Sequence, residues 1–186
     1  MSIHLNDITK KVLLERGLEV DSTRNTTAKN PRDIEKPVGT LILDSDAWYR
    51  SHLSKNDVML DDVDMRDNIQ EAFNDYFTKK GLDKKDYHSF TLWSYEFAST
   101  TLDTVKGDSE GFEAGFAIVP VADYPSEDGR ELAQQDLNEE LSSLYKWCKG
   151  YIVDIVIRTS SGEVLAKFDE VYTSDVGKTV NKFLNI

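Results

Sequence analysis

Cysteine is all but missing from this chain, with Cys148 the only one in 186 residues. A single thiol excludes an internal disulfide and excludes thiolate-rich zinc sites, which need several ligands at short spacing. Long apolar runs are missing too. The start, MSIHLNDITKKVLLERG, carries no signal-peptide core, and no stretch reaches the roughly 20 residues that span a bilayer. The expectation is a reducing cytoplasm without membrane contact, where the Asn25-Thr26-Thr27 sequon carries no meaning. No glycine occurs between Gly39 and Gly81. The aspartates of that stretch therefore lack the glycine-shaped loop of an EF-hand. Nor is there a glycine-rich loop to cradle a phosphate.

Basic residues are scarce in one place only. Residues 57–140 hold 21 acids against 7 bases, a net charge of −14, whereas residues 1–56 and 141–186 each come to +1. Affinity for phosphates needs a basic surface, so direct binding to nucleic acid is not expected. An acidic block suggests a surface that meets a basic partner.

The hydrophobic pattern predicts one α+β fold. Asn6 caps a first helix from Asp7 to about Arg16, and the polar, aperiodic residues 21–37 read as a linker. Residues 1–37 are thus expected to be an arm docked on a single domain, 38–186. Val38 to Leu43 reads as a strand, after which Ser45 caps a short helix through Trp48 and His52. Asp64 is expected to cap a long helix ending at Gly81, with Met65, Ile69, Ala72, Phe73, Tyr76 and Phe77 as its buried stripe. A second long helix runs from about Arg130 to Lys149, with Leu132, Leu137, Leu141 and Leu144 on its apolar side. Alternation marks a hairpin, 89–97 with 112–121, around the loop Lys106 to Gly111. A second hairpin, 151–159 with 163–173, turns at Ser160-Ser161-Gly162, and a short terminal helix carries Val176, Val180, Phe183 and Leu184. The predicted architecture is a mainly antiparallel sheet built from two β-hairpins, packed against two long and several short helices on one side. Trp93, Tyr95 and Phe97 are expected in the sheet core.

Three motifs invite a catalytic reading. Gly107-Asp108-Ser109-Glu110-Gly111 fits the G-x-S-x-G nucleophile elbow, which sets a serine on a strand-to-helix turn with a histidine base later in the chain. Here a strand follows, and His4, His52 and His88 all precede Ser109, so the segment reads as a turn. Leu41-Ile42-Leu43-Asp44-Ser45-Asp46 resembles the first motif of haloacid-dehalogenase-type phosphotransferases. That resemblance implies a carboxylate nucleophile, a second carboxylate as proton donor, bound magnesium and a parallel α/β sheet. It spans six residues, and Ala47 and Trp48 stand where the family has Thr or Val. Third, Asp61, Asp62 and Asp64, with Asp57 and Asp67 nearby, could gather a hard cation, or could simply favour a helix N-terminus. No catalytic, metal or cofactor residue is assigned, and an enzyme is not expected.

The acidic residues themselves remain. Asp64, Asp67, Glu71 and Asp75 recur at about one helical turn, roughly 5 Å per step. Glu127, Asp128, Glu131, Asp136, Glu139 and Glu140 add a second surface. Together with Asp57, Asp61 and Asp62 they form the candidate partner-binding set. In charge and size the chain resembles acidic DNA-mimic inhibitors, such as the antirestriction and anti-CRISPR proteins of phages and plasmids. That likeness implies a non-enzymatic protein that inhibits or regulates a basic, nucleic-acid-handling partner. The alternatives are a small metal-dependent hydrolase or phosphatase using an Asp cluster, and a structural assembly subunit.

Overall fold

The computed structural model describes residues 5–34, 36–44, 53–60, 65–95, 101–107 and 111–186. The first elements are α1 (Asp7–Glu15), β1 (Leu18–Arg24), α2 (Pro31–Ile34), β2 (Thr40–Asp44), β3 (Val58–Leu60) and α3 (Met65–Lys80). They are followed by β4 (Tyr87–Tyr95), β5 (Thr101–Asp103), β6 (Gly111–Pro120), α4 (Gly129–Cys148), β7 (Ile152–Thr159), β8 (Val164–Tyr172) and α5 (Val176–Leu184). Helices and mainly antiparallel sheets make this an α+β protein. The chain divides into two compact units, Met1–Ala28 with Lys146–Ile186, and Lys29–Tyr145. That division differs from the expected boundary between 37 and 38.

In the first unit, β1 and β8 flank β7, both antiparallel to it. Residues 18–24 alternate Leu18 and Val20 with Glu19 and Asp21, and the pairing Leu18↔Thr159 to Arg24↔Val153 makes them a strand. This corrects the expected linker: Asp21–Arg24 are laddered, because β7 supplies the hydrogen bonds that a polar local sequence does not announce. Val153, Ile155 and Ile157 of β7 are buried against Leu13 of α1 and Val176, Val180 and Leu184 of α5. Each such side chain contributes about 2 kcal/mol by leaving water. Polar groups fix the two helices. Asn6 Oδ1 accepts from Thr9 N at 2.8 Å as the N-cap, and Thr9 Oγ1 lies 2.5 Å from Asn181 Oδ1. Arg16 Nη1 donates to the carbonyl of Leu184 at 3.1 Å, meeting one of the open acceptors at the end of α5.

The second unit holds a sheet in the order β3-β2-β6-β4-β5. β2 and β3 are parallel, and the other pairs are antiparallel. The expected first hairpin is real as a pairing, from Tyr87↔Pro120 to Tyr95↔Gly111. Its connection is not a simple turn, since β5 lies between the two strands in sequence and takes the far edge of β4. At Gly115 the strands come so close that a β-carbon would stand 2.2 Å from the Ile42 carbonyl oxygen.

Strand residues alternate sides. Ile42, Phe116 and Ile118 meet Ala72, Tyr76 and Phe77 of α3. Leu41, Leu43, Ala117 and Val119 point the other way and are buried as well. The cover there is α4, which buries Ala133, Leu137, Leu141 and Leu144 along one stripe. Arg130 stands 4.7 Å over the ring of Phe90, whose register partner is Ala117. Gln134 Nε2 donates to Thr104 Oγ1 at 3.0 Å. Helices therefore cover both faces of this sheet, not one as expected. Leu132, placed on the apolar side of the helix by sequence, is 47% exposed, and Ala133 takes its role.

Helix α3 begins at Met65, as expected, but is broken one turn in. Asn68 has non-helical angles (φ −156°, ψ 62°), and its Oδ1 accepts from Glu71 N at 3.2 Å. The regular helix thus begins after an Asn68 cap. Asp64, the expected cap, lies outside the described residues. The end is as expected. Gly81 at φ +64° lets Leu82 N reach the Phe77 carbonyl and Gly81 N the Thr78 carbonyl, closing the last turn.

Candidate functional site

The division into units sorts the charge. Residues 29–145 carry 25 acids against 12 bases, a net of −13, and the other unit carries 9 against 10, a net of +1. Five of the candidate carboxylates ride on α4 or the turn before it: Glu127, Asp128, Glu131, Asp136 and Glu139, all exposed. Ala133, Leu137, Leu141 and Leu144 define the inward side, so the 100° step per residue puts Glu131, Gln135 and Glu139 on the opposite stripe. Gln135 Nε2 donates to Glu139 Oε1 at 3.3 Å. Asp136, on the flank, accepts from the Tyr124 hydroxyl at 2.8 Å. Burial first, then that bond and the carboxylate's charge, push the Tyr124 phenol up to about 12.

Two candidates leave the surface. Asp57 has no exposed side-chain area, and Glu140 retains 14%. Both pair with Arg32, whose side chain is wholly buried. Its Nε and Nη2 donate to Asp57 at 3.0 and 2.5 Å, its Nη1 faces Glu140 Oε1, and Nη2 also reaches the Gly39 carbonyl at 2.7 Å. The remaining lone pairs are used by backbone. Leu41 N and Ser54 N donate to Asp57 at 3.0 and 2.9 Å, and Val38 N donates to Glu140 at 2.6 Å. These two carboxylates therefore hold the approach to β2 and β3 against α4 and are not available to a partner. Arg32 is the residue that sequence reasoning missed. Its partners stand 25 and 108 positions away, so no local signal marks it.

Of the acidic ladder expected on α3, the described side chains are Glu71 and Asp75. Asp61, Asp62 and Asp64 lie outside the described residues, as does the side chain of Asp67, which precedes the Asn68 irregularity. Glu71 and Asp75 are exposed, and Glu71 Oε2 accepts from Asn68 Nδ2 at 2.5 Å. Lys79 and Lys80 follow in the last turn, and Lys84 and Lys85 come soon after. Because α3 and α4 cover opposite faces of the sheet, their carboxylates form two surfaces, not one.

The catalytic motifs resolve into structure where they are described. Gly107 N donates to the Tyr95 hydroxyl, which donates to the Val105 carbonyl at 3.1 Å. A β-carbon at Gly111 would stand 2.5 Å from the Tyr95 ring. These glycines make room for Tyr95, and among the described residues the motif leads into the strand β6 and not into a helix. Ser109 lies outside the described residues. Asp44 is buried at the last position of β2, in register with Leu60 of the parallel β3. Asp46 is outside the described residues, as are His4 and His52. Among the described residues no group of three His, Cys, Asp or Glu side chains could hold a metal ion. Burial raises the Cys148 thiol to about 11, so it stays protonated at neutral pH. Trp93 and Tyr95 are half-buried on the side of β4 that faces away from α4, with Lys106 Nζ 4.6 Å over the Trp93 ring. Phe97 is not described. A cleft of about 100 Å³ opens between α3 and β4, lined by Ile69, Gln70 and Phe73 of the helix and by Ser89, Phe90, Thr91 and Phe116 of the sheet. Among the described residues no helix is long and apolar enough to cross a membrane.

No protein-family model, no curated protein and no solved structure matches this chain.

Proposed function

We propose that this chain is a non-enzymatic, cytoplasmic acidic binding protein that regulates or inhibits a basic, nucleic-acid-handling protein. Its contact surface is the outer face of α4 and the turn before it. The observation that carries the reading is the set Glu127 and Asp128 on the turn before α4 and Glu131 and Glu139 on its outward stripe: all exposed, and without an ion-pair partner among the described residues. Such a face draws a basic groove through long-range attraction, giving fast and salt-sensitive association.

DNA mimicry is the narrower form of the same proposal. From Asp128 to Glu139 the helix rises about 16 Å, over which duplex DNA carries roughly ten charges. Asp128, Glu131, Asp136 and Glu139 give that length fewer than half as many. The face resembles part of one strand rather than a whole duplex. The test is a low-salt pull-down with the combined Glu127→Gln, Asp128→Asn, Glu131→Gln and Glu139→Gln variant. Loss of a basic partner that nucleic acid also displaces supports mimicry. Retention undiminished in the variant overturns the proposal.

A second reading, a small metal-dependent hydrolase, is favoured by one observation. Asp44 ends β2 at the carboxyl edge of the parallel pair, and the sequence runs on from Leu60 straight into Asp61 and Asp62. Open sheets with parallel strands bind ligands at that edge. The reading predicts a rise in melting temperature with magnesium or manganese that Asp44→Asn abolishes. Indifference to both ions removes it.

A further inference from the structure

We draw no further inference here: the strongest candidate, the cleft of about 100 Å³ between α3 and β4 whose walls include Ile69, Phe73, Phe90 and Phe116, holds no charged side chain and falls below the roughly 300 Å³ at which ligand pockets begin, and nothing in the structure shows what covers it.

Discussion

Residues 1–28 with 146–186 lay two helices on a three-stranded sheet, and residues 29–145 lay two on a five-stranded one, yet the two units treat charge in opposite ways. The first balances its acids and bases and closes over an aliphatic cluster. The second closes over aromatic rings, with Phe73 and Tyr76 each edge-on to Phe116 at 5.1 and 5.8 Å, and buries an arginine between two carboxylates. Among the described residues it then exposes most of its other acids. The balanced unit shows that this style of packing does not require acidity. Like charges one turn apart cost a few tenths of a kcal/mol each, so the acidity of α4 works against its own helix, and the proposed contact surface would give it a use.

The largest effect expected from breaking this contrast is at Arg32. Arg32→Met strands two buried carboxylates and should cost the acidic unit about 3–5 kcal/mol. Unfolding followed separately in each unit, by amide exchange, should show residues 29–145 opening first. Equal loss in both units would mean that they unfold as one. A triple variant, Arg32→Met with Asp57→Asn and Glu140→Gln, should recover part of the loss. In the aliphatic unit, Ile155→Ala should cost about 2–5 kcal/mol through its cavity, with exchange protection falling among residues 152–172 and leaving 29–145 unmoved.

Alkaline pH gives a smaller effect. The Tyr124 phenol ionises at about 12 in the fold against 10.0 for the free side chain. The folded state therefore holds this proton more tightly, and its contribution to stability is complete below pH 10 and disappears as pH rises toward 12. Tyr124→Phe should remove that part of the alkaline loss, read as a denaturant midpoint that falls less between the two pH values. Salt should give the smallest effect. Screening should raise the midpoint of residues 29–145 slightly and leave the balanced unit where it was. Identical salt responses would dissolve the comparison.

Much of this was legible in the sequence wherever the signal was local. The stripe of α5, the buried face of α4 from Leu137 on and the β7–β8 hairpin rest on periods read within about ten residues, and they stand where the pattern put them; Leu132 does not. The α3 stop was legible because Gly81 has one conformational use there. What was hidden depended on distant partners. Leu18–Arg24 is a strand because of β7, and the three residues of β3 and of β5 are too few to show a period. The break at Asn68 inside α3 was not legible, because only the bond from Glu71 N to its Oδ1 sets that residue apart from its neighbours. Among the candidate acids the charge sum found the right unit, but it could not tell Glu139 from Glu140. Adjacent helix residues differ by 100° in direction, so one faces water and the other faces Arg32.

The pairing of β1 with β7 also fixes an order of events in time. During synthesis the first helix and strand leave the ribosome early, but the strand that completes their sheet arrives more than a hundred residues later. By then residues 29–145 have emerged, so α1 and β1, made before that unit, complete their tertiary structure after it can fold. Until Thr159 emerges, α1 and β1 remain an unsatisfied template, available to whatever holds nascent chains.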